Sequence, residues 1–282
     1  MRFRLFNLVL LLGLCQTQAL RAEEPKVSIA GLQVVRFAKT DTSGNVYNRN
    51  ALVPFNNATA GTRIALLVEV KESNLVRLDS EQSSIDILED DTGANLLNKV
   101  SAATTKVFIA NPFGNPFGSR SSTGGLTDLR LGKDGKRGLL EVTSNVAPTQ
   151  GSVEIALSGT LGVVVASETE TVRTEPVAVD ATEVKVGDVT FAMKPRKSGS
   201  SFTLELTSSD PKLSHLRQAQ FFADGAQLEL RSNYVQNLGK GNLKHRYHFA
   251  RAPEKEIIME FEFWSDARVV QVPLEMQIGI GG

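Results

Sequence analysis

The stretch Ile64-Ala65-Leu66-Leu67-Val68-Glu69-Val70-Lys71 carries a branched, bulky residue at every second position. Two is the side-chain period of a strand. Ile64, Leu66, Val68 and Val70 fall on one face, Ala65, Leu67, Glu69 and Lys71 on the other. An apolar face backed by one that ends in charges fits an antiparallel sheet with a single buried side. The alternation returns at Val153, Ile155 and Leu157, and at Phe202, Leu204 and Leu206. It returns again over 270–280, where Val270, Val272, Leu274, Met276, Ile278 and Ile280 oppose Gln271, Glu275 and Gln277. Clusters of Gly, Asn, Asp and Pro separate these runs, as in a sandwich rather than in βαβ units. Only 96–107 and 211–216 admit a short helix. The expected class is all-β.

The two halves read as copies. Ala30-Gly31-Leu32-Gln33-Val34 matches Val186-Gly187-Asp188-Val189-Thr190, and the strand at 63–70 matches that at 201–207. Ile85-Asp86-Ile87-Leu88-Glu89-Asp90-Asp91-Thr92-Gly93 runs into an acidic glycine turn, as Gln220-Phe221-Phe222-Ala223-Asp224-Gly225 does. Ala147-Pro148 precedes 153–157 as Ala252-Pro253 precedes 259–263, and Val163-Val164 matches Val269-Val270. This order predicts two tandem, duplicated copies of an antiparallel β-sandwich with an immunoglobulin-like strand count. The expected division is a leader over 1–22, a first sandwich over 23–179 and a minimal second one over 180–282, with the seam at 171–182.

Against the shorter copy, the first half carries two insertions. One holds Ala51-Leu52-Val53-Pro54-Phe55-Asn56-Asn57; the other holds Asn111-Pro112-Phe113-Gly114-Asn115-Pro116-Phe117-Gly118. Long loops on a rigid scaffold are where recognition residues concentrate, and Pro and Gly fix the backbone that presents an aromatic ring. Phe55, Phe113 and Phe117 are therefore candidate partner contacts, the competing expectation being that they cap the open end of the core. Trp264 joins them. Alternation over 259–264 puts it on the same face as Glu260 and Glu262, an odd place for an indole unless a surface meets it, either that of the first domain or that of another molecule. A bulge before Ser265-Asp266 that returns the ring to the core is the competing reading.

The first residues bear on compartment. Arg2 and Arg4 precede an apolar run over 5–14, and Ala19 and Ala22 offer small residues for cleavage. That is the order of a secretory signal, and the run is too short to span a ~30 Å hydrocarbon core. Cleavage is expected after Ala22 and the compartment is expected to be periplasmic or extracellular. A lipid anchor at Cys15, the only cysteine, is disfavoured because Leu14 stands where a small residue is wanted. No later stretch reads as a transmembrane segment.

The leader removes three arginines and no acid, so the remaining chain holds 28 Lys and Arg against 31 Asp and Glu, a net charge of −3. Such a balance argues against a nucleic-acid partner. Among the histidines, His245 and His248 are three apart, which on a strand sends them to opposite faces. Asp86, Glu89, Asp90 and Asp91 could hold calcium, but the second copy keeps only Asp224-Gly225, as a hairpin would. No nucleophile elbow, zinc helix or phosphate loop is present, so no catalytic residue, metal or cofactor is expected. The expected function is a non-catalytic envelope module acting in structure or protein–protein interaction. The alternative is a ligand-binding protein that holds a glycan, peptide or partner protein on the first-half loops. A hydrolase with carboxylates unrecognisable from sequence is the remote third.

Overall fold

The computed structural model describes residues 25–36, 61–97, 125–127, 129–239 and 242–280. In chain order the strands are β1 (Lys26–Val35), β2 (Gly61–Glu69), β3 (Asn74–Asp90), β4 (Gly125–Leu126), β5 (Arg130–Leu131) and β6 (Arg137–Ser144). Then follow β7 (Glu154–Ala166), β8 (Thr169–Arg173), β9 (Val177–Ala178), β10 (Glu183–Val186), β11 (Val189–Ser198) and β12 (Ser201–Ser208). The last are β13 (Leu216–Ala223), β14 (Ala226–Gln227), β15 (Leu230–Gly239), β16 (Asn242–Phe249), β17 (Glu256–Trp264) and β18 (Arg268–Gly279). One turn of 3-10 helix, Pro211–His215, is the only helical element among the described residues; the other expected helix lies mostly outside them. The protein is an all-β antiparallel sandwich structure.

Two cores are present. In the first, β1-β2-β6-β4, with β5 also on β6, faces β18-β7-β3. Ile64, Leu66, Val68, Leu140 and Val142 of one sheet meet Leu75, Leu88, Ile155, Leu157, Leu161, Val163 and Leu274 of the other. In the second, β10-β11-β12-β16-β15 faces β14-β13-β17-β8. Its centre is aromatic: Phe191, Phe202, Phe221, Tyr247, Phe249, Phe261 and Phe263 are all nearly inaccessible, and Phe221 packs within 4.6–6.1 Å of three other rings. Turn chemistry fits the strand pairs. Asp224 and Gly225 both take positive φ (53° and 75°) in the two-residue loop between β13 and β14, where a type I′ turn needs that at both positions.

The strand order of one core repeats in the other: β1-β2-β6 corresponds to β11-β12-β16, and β3-β7-β18 to β13-β17-β8. The partition of the chain differs from a tandem one with a single boundary at 179/180. β18, the last strand, pairs along β7 and buries Val272, Leu274 and Ile278 in the first core. β8, which precedes that boundary, pairs with β17 and packs Val172 against the second core. The second sandwich is thus inserted between β7 and β18.

The two connections form one object. Residues 154–165 pair with 268–279, and 169–173 pair with 260–264, in a register that never slips: Glu154 opposes Gly279, Val165 opposes Arg268, Thr169 opposes Trp264 and Arg173 opposes Glu260. Where pairing is interrupted, Ser265 N–H donates to Glu168 O at 3.0 Å, and Ser167 and Glu168 N–H donate to the Asp266 carboxylate at 2.9 Å. A single two-stranded ribbon therefore runs through both sandwiches. The expected equivalence of Val163-Val164 with Val269-Val270 takes another form: Val163 opposes Val270 and Val164 opposes Val269, so these are partners across the ribbon. Similar residues recur there because both strands bury the same face.

Candidate functional site

Of the four expected contact residues, Phe55, Phe113 and Phe117 lie outside the described residues. Trp264 is placed. Its ring is 9% exposed and packs with Val76, Val164 and Ala166 of the first sandwich. The strand alternates without a bulge, so the indole does share the outer face with Glu260 and Glu262, and the first sandwich covers it there. Arg217 stacks over the ring at 5.0 Å and pairs with Glu262 at 2.6 Å. The indole is used inside the molecule, at the junction.

Within the acidic stretch at 86–91, Asp90 is taken up by internal bonds. Asp90 Oδ1 accepts from Thr92 N, Thr92 Oγ1 and Ala94 N at 2.6–3.1 Å, and Oδ2 accepts from Thr149 N at 2.7 Å. Burial would raise this carboxyl, but the four donors outweigh it and hold it well below the usual carboxylate range. The two histidines of β16 do face opposite ways. His245 points inward, its ring stacked near Tyr247, and burial pushes it down to about 4. His248 points outward and meets Thr203 Oγ1 through Nδ1 at 2.9 Å.

His248 belongs to the most distinctive surface of the described chain, the outer face of β10-β11-β12-β16-β15. Period-2 placement turns Phe191, Met193, Phe202, Leu204, Leu206, Leu243, Tyr247 and Phe249 inward, which leaves the alternate residues outside. The cross-strand registers set these in rows. One row reads Lys194, Glu205, Arg246, Tyr234; a second reads Arg196, Thr203, His248, Ser232; a third reads Ala192, Thr207, Lys244, Gln236. On β11, β12 and β16 four permanent cations and a histidine thus share the face with one carboxylate, and β10 adds Glu183, beside Ala192 in the third row, and Lys185. Glu205 is nearly buried and bonds Arg246 at 2.6 Å, with Lys244 at 4.0 Å. Lys194 and Arg196 are exposed and have no carboxylate partner among the described residues, and Arg246 Nε is buried without an acceptor.

The opposite sheet shows what a neutralised face looks like. There Arg173 pairs with Glu260 at 3.1 Å and Arg217 with Glu262, one acid to each base. The excess on the β11-β12-β16 face thus contrasts with the paired charges of the opposite sheet. It was missed in the sequence because Lys194, Arg196, Lys244, Arg246 and His248 come from two segments about fifty residues apart. Only the pairing of β12 with both β11 and β16 collects them.

Comparison with known proteins adds no relative: the chain matches no protein-family model, no curated protein and no solved structure.

Proposed function

We propose that this chain is an exported, non-catalytic envelope module that holds an acidic protein partner on the outer face of β11, β12 and β16. The observation that carries the reading is the row arrangement of Lys194, Arg196, Lys244 and Arg246 around Glu205, the one carboxylate that β11, β12 and β16 turn outward. A chain of overall charge near zero has no electrostatic reason to gather cations on one sheet face. Gathered there, they steer and orient a surface of opposite sign. Flatness favours a protein over a glycan, since a sheet face has no walls to enclose a sugar. The leader over 1–22 supports export, and the ribbon supports a scaffolding role by fixing the face relative to the first sandwich.

The test uses the full chain on an immobilised poly-glutamate peptide, with alginate as the acidic-glycan arm. Retention on poly-glutamate at low ionic strength should fall as salt rises, because exposed charges are screened beyond about 8 Å at physiological salt. The double variant Lys194→Glu/Arg196→Glu should lose retention, while Arg173→Glu on the opposite sheet should keep it. Equal retention of all three proteins would refute the reading, and selective binding to alginate would reassign the partner to a polysaccharide.

A further inference from the structure

β13 is paired with β17 from Leu216 to Phe222, but on its other edge β14 reaches only Phe222 and Ala223. The hairpin goes one bond further, where Leu228 N–H donates to Phe221 O at 2.7 Å. The chain then leaves, and Leu230 already pairs with Phe249 of β16 in the opposite sheet. Where the two segments diverge they bound a groove of about 670 Å³, with 217–220 on one wall and 227–230 on the other.

Alternation fixes what the first wall offers. Main-chain groups of successive strand residues point to opposite edges. Phe221 O is bonded on the β14 side, so Gln220 and Phe222 bond toward β17, and the N–H and C=O of Ala219 point into the groove. No strand lies beside them among the described residues. The floor is apolar. Ala219 and Leu228 are buried, while Leu230, opposite the inward Phe249, keeps 36% exposure because the sandwich stands open along this side. The rim is polar. Its charges are Arg217, already paired with Glu262, and Glu229, exposed and without an ion pair among the described residues.

We propose that this groove takes an extended segment of a partner protein, added antiparallel to β13 as the continuation of β14. Strand addition uses this arrangement: main-chain bonds hold the segment, and pockets for alternate side chains select it. The segment's residue opposite Ala219 shares its inward face and covers Leu230, so it is a branched apolar residue. There is space for it because Ala219 is small where the other inward residues of β13 include Leu216 and Phe221. The flanking residues point outward, and the one that meets Glu229 is Lys or Arg. A glycan lacks the run of N–H and C=O groups at strand spacing that this edge pairs with. The groove contains none of the cations of the basic face and acts independently of it.

The experiment selects linear heptapeptides from a random phage-displayed library on the immobilised full chain, then measures each synthetic peptide by fluorescence anisotropy. Selected peptides should alternate polar and apolar residues and carry Lys or Arg beside the apolar position. Ala219→Pro removes only the donor that faces the groove, since its neighbours make the bonds to β17. It should weaken binding about tenfold with an unchanged far-UV spectrum. Should that variant misfold, the peptide supplies an independent readout. N-methylation at alternate residues should abolish binding in one parity and leave it in the other. Failure to select a peptide would overturn the proposal, as would binding indifferent to Ala219→Pro or to the parity of N-methylation. A parent that dimerises in sedimentation equilibrium, with Ala219→Pro monomeric, would overturn it in favour of a second copy. Each of these results leaves the poly-glutamate test of the basic face standing.

Discussion

Asp90 and His245 show how single residues divide the acid response of this protein. Both have folded-state affinities for protons below their ordinary values, for opposite reasons: Asp90 is held ionised by donors, His245 is held neutral by burial. For Asp90 the stabilisation is present above the ordinary carboxylate range and is lost as pH falls through that range and below. For His245 the unfolded chain takes up a proton near 6.5 while the folded one waits until about 4, so stability falls as pH drops between those values and then levels. Melting temperature against pH should therefore show a slope from 6.5 to 4 that His245→Leu reduces, His215 being lowered by burial as well, with a second, more acid slope that Asp90→Asn reduces beside the contributions of Asp134 and Asp266. Asp90→Asn should itself cost about 1–3 kcal/mol at neutral pH, as donors lose a charged acceptor. Leu66 and Phe261, both fully buried, should cost about 2–5 kcal/mol each on truncation to Ala, read from urea midpoints. Their inward assignment was legible because period-2 patterning suffices for a mid-strand residue. The neighbours of Asp90 were not, since Thr149 lies 59 residues away in sequence.

At the level of elements, most strands were legible and their pairing was not. Alternation marks 63–70, 201–207 and 270–280 as strands, and β2, β12 and β18 stand there. Nothing in the alternation of 270–280 says that it belongs beside 154–166, however, because any strand with one apolar face fits either core. The repeat hinted otherwise, by reading a cross-strand pair as a copy. A fragment cut at the seam tests this directly. Residues 180–282 lack β8, which leaves the edge of β17 bare beside Phe261 and Phe263, and they carry β18 with no partner. That fragment should aggregate or bind apolar dyes. Residues 167–267 keep β8 with β17 and should melt cooperatively by circular dichroism. If 180–282 melts as sharply as 167–267, the β8 pairing contributes nothing to the second core.

For the whole molecule, the ribbon over 154–173 and 260–279 replaces the single flexible linker usual between domains. Trp264 reports on it. In the full chain its emission should be blue-shifted and protected from acrylamide, because Val76, Val164 and Ala166 cover the ring. In 167–267 the cover is gone, and quenching should rise. Protection that is equal in both would place the ring in the second core instead. The basic face, the other whole-molecule property, escaped the sequence because net charge averages over both sandwiches, and only pairing shows where the cations gather. The ribbon also fixes how the protein carries load. Both ends of the described chain, β1 and β18, lie in the first sandwich. Tension applied between residues 25 and 280 stays in the first sandwich and leaves the second unstressed. Tension applied to the second sandwich reaches the first through both strands of the ribbon at once, shared between them in parallel.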